Sequence, residues 1–216
     1  MKKIFAPLLA GLLLASCAKE RLTGSGAIVT EDRAVANFTK VTTSGASNVY
    51  IQQGAAFSVQ VKGYGNLLPH FETVVRNQTL EVGYKDVQSI KNDNIEVFVT
   101  MPGLEGARIN GSADVEALGD FTSNRMDFFI SGSGNIDVES GTVQTLYADI
   151  SGSGNIRLFG ITANKAEVGM SGSGTIEVTA VTDLKATING SGTIFYKGSP
   201  AIETSVSGSG KLVHRP

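Results

Sequence analysis

Ile130-Ser131-Gly132-Ser133-Gly134 returns as Ile150-Ser151-Gly152-Ser153-Gly154, then as Met170 to Gly174, Ile188 to Gly192 and Val206 to Gly210; Ile109-Asn110-Gly111-Ser112 opens the series. The interval is 18 to 21 residues each time. A fixed phrase of apolar residue, small polar residue and glycines at such a period marks one structural unit stacked on copies of itself.

Taking the first residue of each phrase as position zero aligns the copies. Position zero is then Ile109, Ile130, Ile150, Met170, Ile188 and Val206; position six is Val115, Ile136, Ile156, Ile176, Ile194 and Leu212; position eight is Ala117, Val138, Leu158, Val178, Tyr196 and His214. Apolar columns separated by polar positions are what strand alternation produces when one face is buried. Between positions zero and six the chain must turn, and the glycines there supply backbone conformations that other residues avoid. The serines at position three, Ser112, Ser133, Ser153, Ser173, Ser191 and Ser209, are expected to stack as a hydroxyl ladder. These features predict an all-β parallel β-helix, or a closely related β-solenoid, in which each rung covers its neighbour's edge.

Outward from the repeats the pattern remains that of strands. Asn48 to Gln53, Phe57 to Lys62, Thr79 to Tyr84 and Ile95 to Thr100 alternate, bounded by turn formers, and only Asn66 to Phe71 is compatible with a helical turn. Thr43-Ser44-Gly45-Ala46-Ser47-Asn48-Val49-Tyr50-Ile51 reads as a degenerate further copy of the repeat. The less regular first half therefore belongs to the same body, and one folded domain is expected over 37–216. Before it, 17–36 is polar and turn-rich around Thr23-Gly24-Ser25-Gly26 and reads as a tether.

Residues 1–16 carry Lys2 and Lys3 ahead of an apolar run that is too short to span a bilayer, the layout of a secretory signal peptide. The run ends in Leu14-Ala15-Ser16-Cys17, which resembles the lipobox of bacterial lipoproteins, where the cysteine is lipidated and becomes the new N-terminus. Cys17 is the only cysteine, so no internal disulfide competes for it. More than one acyl chain at Cys17 would anchor the protein stably to a membrane. Ala18 rather than aspartate after the cysteine points to the outer membrane, and Lys19-Glu20 resembles the charged export signal of surface lipoproteins in Bacteroidetes. The expected location is the cell envelope, as an outer-membrane lipoprotein facing the periplasm or exposed at the surface.

The whole chain has 18 Lys and Arg against 20 Asp and Glu, and without residues 1–16 it has 16 against 20, so the mature protein is mildly acidic. It has no Lys/Arg run with which to neutralise phosphates, which argues against a nucleic-acid partner.

The order Phe38, Val41, Ser44-Gly45, Val49-Tyr50-Ile51, Val59-Gln60-Val61, Gly65-Asn66-Leu67-Leu68, Thr79 to Val82, Ile95-Glu96-Val97 and Met101-Pro102-Gly103-Leu104, followed by the Ser-Gly-Ser-Gly repeats, resembles the head GIN domain family of auto-transporter adhesins, common as lipoproteins in Bacteroidetes. The resemblance runs from about Phe38 to His214. It implies a right-handed β-helix-like fold and an adhesion role. It brings no catalytic or ligand residue with it.

Candidate sites are few. Gly152-Ser153-Gly154 is followed by Asn155-Ile156-Arg157-Leu158, a strand where a phosphate-binding loop needs a third glycine and a helix, so a structural turn is the better reading. Gly134-Asn135-Ile136-Asp137 matches a calcium-binding solenoid once, but the other repeats put Arg157, Glu177 or Phe195 at the Asp position. His70 and His214 stand apart, and no His pair has metal-ligand spacing. No cofactor or metal is expected. The repeat serines lack a base nearby in sequence, so no nucleophile can be assigned and no enzyme is expected.

What remains is position seven, which faces outward between two inward columns and reads Glu116, Asp137, Arg157 and Glu177. Such a face resembles the outer face of β-helix polysaccharide lyases, and it would meet a glycan or an envelope protein. The plainer reading is that Arg157 bridges its acidic neighbours across rungs. The sequence therefore predicts a non-enzymatic envelope lipoprotein presenting a rigid surface for adhesion or binding. A polysaccharide lyase, or an envelope scaffold without a soluble ligand, is the alternative.

Overall fold

A computed structural model describes residues 20–216, so the expected signal segment 1–16, the expected lipidation site Cys17, the sorting position Ala18 and Lys19 of the expected export signal lie outside the described residues. The first half contains β1 (Glu20–Thr23), β2 (Ile28–Asp32), β3 (Lys40–Gly45), β4 (Asn48–Gln53), β5 (Ser58–Tyr64), β6 (Phe71–Arg76), β7 (Thr79–Tyr84), β8 (Val87–Lys91) and β9 (Glu96–Met101). The second contains β10 (Gly106–Gly111), β11 (Asp114–Gly132), β12 (Asn135–Gly152), β13 (Asn155–Gly172), β14 (Thr175–Gly190), β15 (Thr193–Lys197), β16 (Ala201–Gly208) and β17 (Lys211–His214). The sequence expectation of a helical turn near Asn66 to Phe71 corresponds to one 3-10 turn, Leu68–His70.

The strands from β10 to β17 stack in parallel as a solenoid of about five turns with rungs of about 20 residues. Each long strand bends, and the burial pattern locates the bends. In β12 the inward residues are Ile136 and Val138, then Gly141 and Val143, then Leu146, Ala148 and Ile150. Alternation puts every second residue inside, so the two changes of parity mark two corners, and the Ser-Gly-Ser-Gly phrase makes the third. In β14 the inward series is Ile176, Val178 and Ala180, then Leu184, Ala186 and Ile188. The middle segment is shorter there, which accounts for the 18-residue interval of the last repeats.

The glycine of each corner is needed for two reasons. Gly152 has φ of +139°, and a Cβ on it would press into the carbonyl oxygen of Gly132 one rung away. The same carbonyl accepts the Ser153 backbone N–H at 2.9 Å, and the relation recurs with Ser173 and Gly152 at 3.0 Å. The corner ladder is therefore a backbone ladder. The repeat serines face solvent instead, and Ser191 with Ser209 at 3.1 Å is the hydroxyl pair that stacking produces among the described residues. The side-chain ladder forms two residues further on: the Asn155 amide donates to Asn135 Oδ1 at 2.8 Å, and the Asn135 amide donates to Asp114 Oδ1 at 2.7 Å.

The Thr43 to Ile51 segment does form a rung. β3 pairs with β10 with Thr43 opposite Ile109 and Gly45 opposite Gly111, and β4 pairs with β11 with Val49 opposite Val115. The intervening 54–105 is an excursion that adds β7 beside β3 and β9 beside β4. Antiparallel β6 on β7, and β5 then β2 on β9, close this end of the stack. At the other end, no described strand stacks on β16 and β17. Ile202 and Val206, which continue inward columns, are consequently 45 % exposed.

Residues 20–36 are not a free tether. β2 runs antiparallel along β5, β1 pairs in parallel with β8, and Leu22 and Val35 pack against the core. All five β2 side chains are exposed, which is why the segment reads as polar tether in the sequence. Covering an open strand edge requires only backbone N–H and C=O groups.

Candidate functional site

Position seven lies on the first segment of each rung, the segment that follows the Ser-Gly-Ser-Gly corner. Register places Glu116, Asp137, Arg157 and Glu177 directly beside one another on successive rungs. Their backbones are fixed by the buried columns on either side, Val115, Ile136, Ile156 and Ile176 before them and Ala117, Val138, Leu158 and Val178 after. A side chain in this row is thus carried at the rung spacing of about 4.8 Å.

Within the row Arg157 chooses one acid. Its Nη1 donates to both carboxylate oxygens of Asp137 at 3.0 Å, and Glu177, equally one rung away, receives no bond. The side chains of this pair are 46 % and 42 % exposed, so it contributes about 0.2–1 kcal/mol at most. Glu116 and Glu177, at the two ends of the column, have no hydrogen bond or ion pair among the described residues. The row therefore presents one neutralised pair between two free carboxylates.

The next outward row adds apolar surface. Leu118 is 42 % exposed. Phe159 sits beneath the Lys197 ammonium, 4.8 Å from the ring centre. Leu118, Glu139 and Phe159 join all four position-seven residues around one groove of about 280 Å³.

Beyond Glu116 the row continues into the excursion. Tyr50 stands opposite Glu116, Phe98 opposite Tyr50, and Gln60 opposite Phe98. The Tyr50 and Phe98 rings stack with centres 5.3 Å apart and planes 19° from parallel. They line a second groove of about 220 Å³ that shares Glu116 and Leu118 with the first. The surface is thus continuous from an aromatic pair, through Glu116, to the charged column. Tyr50 was within reach of the sequence, since it occupies position seven of the degenerate copy. Phe98 was not, because its strand enters the stack out of chain order.

The two histidines do not meet. His70 is in the 3-10 turn, whereas His214, on the last rung, places Nε2 3.1 Å from the Gly198 carbonyl oxygen and its ring against Tyr196. No group of three or more His, Cys, Asp or Glu converges to hold a metal among the described residues. Away from this face, Tyr84 donates its hydroxyl proton to Asp93 Oδ1 at 2.6 Å; burial, then the bond and charge of Asp93, push its ionisation well above the ordinary tyrosine value. On the opposite side of the rungs, Lys165 holds the Asp183 carboxyl below its usual range, chiefly through their hydrogen bond.

Comparison with known proteins agrees with this architecture. A "putative adhesin" from Bacteroides fragilis is 26% identical, with a TM-score of 0.76 over 89% of this chain and 99% of its own. A "putative lipid binding protein" from Parabacteroides distasonis is 25% identical, with a TM-score of 0.60 over 91% of this chain and 100% of its own. A "putative adhesin" from Parabacteroides merdae shares the fold at 19% identity, with a TM-score of 0.57 over 91% of this chain and 99% of its own. No curated protein matches the chain in sequence. A family model covers residues 37–200, most of the solenoid together with the excursion, and the chain belongs to the family described as "Putative auto-transporter adhesin, head GIN domain".

Proposed function

We propose that this protein is a non-enzymatic adhesion module, held to the outer membrane through lipid on Cys17 and displayed at the cell surface, which binds a glycan or protein partner along the face running from Tyr50 and Phe98 to Glu177. The observation that carries the reading is the continuity of that face: aromatic rings, two unpaired carboxylates and one ion pair line adjoining grooves on a rigid stack. Rigid aromatic surface beside fixed polar groups favours binding because little side-chain freedom is lost when a partner docks. The family description and the adhesin names of the similar structures support an envelope or surface role of this kind. The names of the similar structures refer to adhesion and binding rather than to a reaction.

Lyase chemistry would need a basic group free to act beside the acids; Arg157 is paired with Asp137, and Lys197 lies over the Phe159 ring at the groove's edge. One experiment separates the readings. The mature chain and its Asp137→Ala, Arg157→Ala and Glu177→Ala variants are applied to a glycan array and to a panel of envelope and host-surface proteins, and are incubated in parallel with acidic polysaccharides. Retention by wild type that these changes weaken, without unsaturated products, is the expected result. Binding that survives all three substitutions removes the position-seven site, and accumulation of unsaturated sugar makes the protein a lyase.

A further inference from the structure

The last segment of each rung, leading into the Ser-Gly-Ser-Gly corner, carries a third groove, of about 330 Å³, on a different face from the charged column. It centres on a gap. Register places Phe129, Asp149, Gly169 and Thr187 side by side on successive rungs, with Gly169 in the interior of β13. A glycine inside a strand weakens it and often marks a place where something approaches closely.

Nothing in the backbone explains this glycine. From Gly106 to Gly208 every other glycine either has a left-handed φ or would drive a Cβ into a backbone atom of a neighbouring rung, and a Cβ on Gly210 would press into the buried Ile188 side chain. Gly169 has neither property, and a Cβ there would meet only the movable carboxylate of Asp149. The backbone does not require the glycine; what it admits is the Asp149 carboxylate, which rests across Gly169 and leaves the outer surface low at this point.

The groove around the gap is furnished. Phe129 and Tyr147 line it, and each ring is held by a guanidinium, Arg108 4.4 Å from the Phe129 centre and Arg125 4.1 Å from that of Tyr147. A guanidinium on one face fixes a ring in place. Between the rings and the far wall stand Asp149, Glu167, Thr187 and Asn189. Asp149 has no hydrogen bond or ion pair among the described residues, and its row neighbours are a phenylalanine and a glycine. The volume is at the small end of the range of about 300–1,000 Å³ for small-molecule sites.

We propose that this groove is a second binding site, taking a short run of a neutral glycan over Gly169. A sugar ring offers C–H faces to aromatic walls and hydroxyls to carboxylate, amide and hydroxyl groups, which is the complement of what this groove displays. Asp149 sets the charge preference, since Glu167 is paired with Lys185 at 3.5 Å. A uronate or sialate would bring a second negative charge beside the unpaired Asp149, and like charges facing each other across an interface are unfavourable. The site does not depend on the charged column.

The test uses the mature chain and three oligosaccharide hexamers, one a neutral glucan, one an N-acetylhexosamine polymer and one a polyuronate, titrated calorimetrically. At least one neutral hexamer binds wild type, and the polyuronate binds more weakly. Asp149→Asn, which keeps the side chain's size, lowers affinity by about tenfold or more, because one hydrogen bond to a charged group is worth that much. Gly169→Leu fills the gap and abolishes binding, while an unchanged thermal melting curve and far-UV circular dichroism spectrum show that the fold persists. Arg157→Ala leaves this binding intact. The proposal is overturned if neither neutral hexamer binds, if the polyuronate binds best, or if affinity is indifferent to both groove variants. Loss through Arg157→Ala but not through Asp149→Asn would assign the glycan to the charged column and leave the adhesion reading standing.

Discussion

Replacing Gly152 with alanine tests the corner geometry on which the solenoid rests. Its φ of +139° lies in a region open essentially to glycine alone, where another residue costs about 1–3 kcal/mol. The new Cβ would also lie closer to the Gly132 carbonyl oxygen than the 3.0 Å that real Cβ atoms respect, so the rungs must shift there. That oxygen accepts the Ser153 N–H at 2.9 Å, a bond with a net value of about 0.5–1.5 kcal/mol that the shift would weaken. Against this, alanine restricts the unfolded chain and returns about 0.4–1 kcal/mol. The net expectation is a loss of about 1–4 kcal/mol. Gly169→Ala is the internal control: with neither obstacle, it should range from neutral to a gain of about 0.4–1 kcal/mol. Equilibrium unfolding in guanidinium chloride, followed by far-UV circular dichroism, should show an earlier midpoint for Gly152→Ala and an unchanged or later one for Gly169→Ala. Equal midpoints for the two variants would refute the reasoning, because the corner and the mid-strand glycine would then be equivalent.

Two further outcomes follow from the same structure. Asn135→Ala breaks the amide ladder in both directions, toward Asp114 and toward Asn155, and should cost about 1–3 kcal/mol for two net hydrogen bonds in the same unfolding measurement. Tyr84 governs part of the alkaline limb of stability. Above about pH 10 the unfolded chain releases the tyrosine proton while the folded chain keeps it, so the folded state binds more protons and stability falls as pH rises. Below that pH the group contributes no slope. Tyr84→Phe should therefore flatten the decline in unfolding midpoint above about pH 10. The decline that remains includes Lys85, whose hydrogen bond to Glu72 raises its own ionisation and gives a slope of the same sign.

The solenoid was legible because burial and repetition reinforce each other. Ile130, Ile150 and Met170 recur at one interval and alternate with polar residues, which fixes both the strand period and the stacking direction. The position-seven column followed from the same alignment, and register brings its four residues together. What escaped detection lay where backbone rather than side chains decides. The corner serines looked like a hydroxyl ladder, but the left-handed glycines turn the chain so that N–H groups face the neighbouring rung and the hydroxyls face water. The 20–36 segment looked like a tether because its side chains are polar, whereas its role in β2 is carried by main-chain bonds to β5. Phe98 could not be aligned with Tyr50, since the order β11, β4, β9 in the stack is not the order of the chain. The preference of Arg157 for Asp137 over Glu177 has no sequence signature, both acids being one rung away.

The central claim is that this stack is displayed to the outside of the cell, where its outward rows can reach a partner. Protease treatment of intact cells, with and without permeabilisation of the outer membrane, tests it most directly. The account predicts that the protein is digested on intact cells without permeabilisation. Digestion only after permeabilisation would place the protein in the periplasm and contradict direct adhesion.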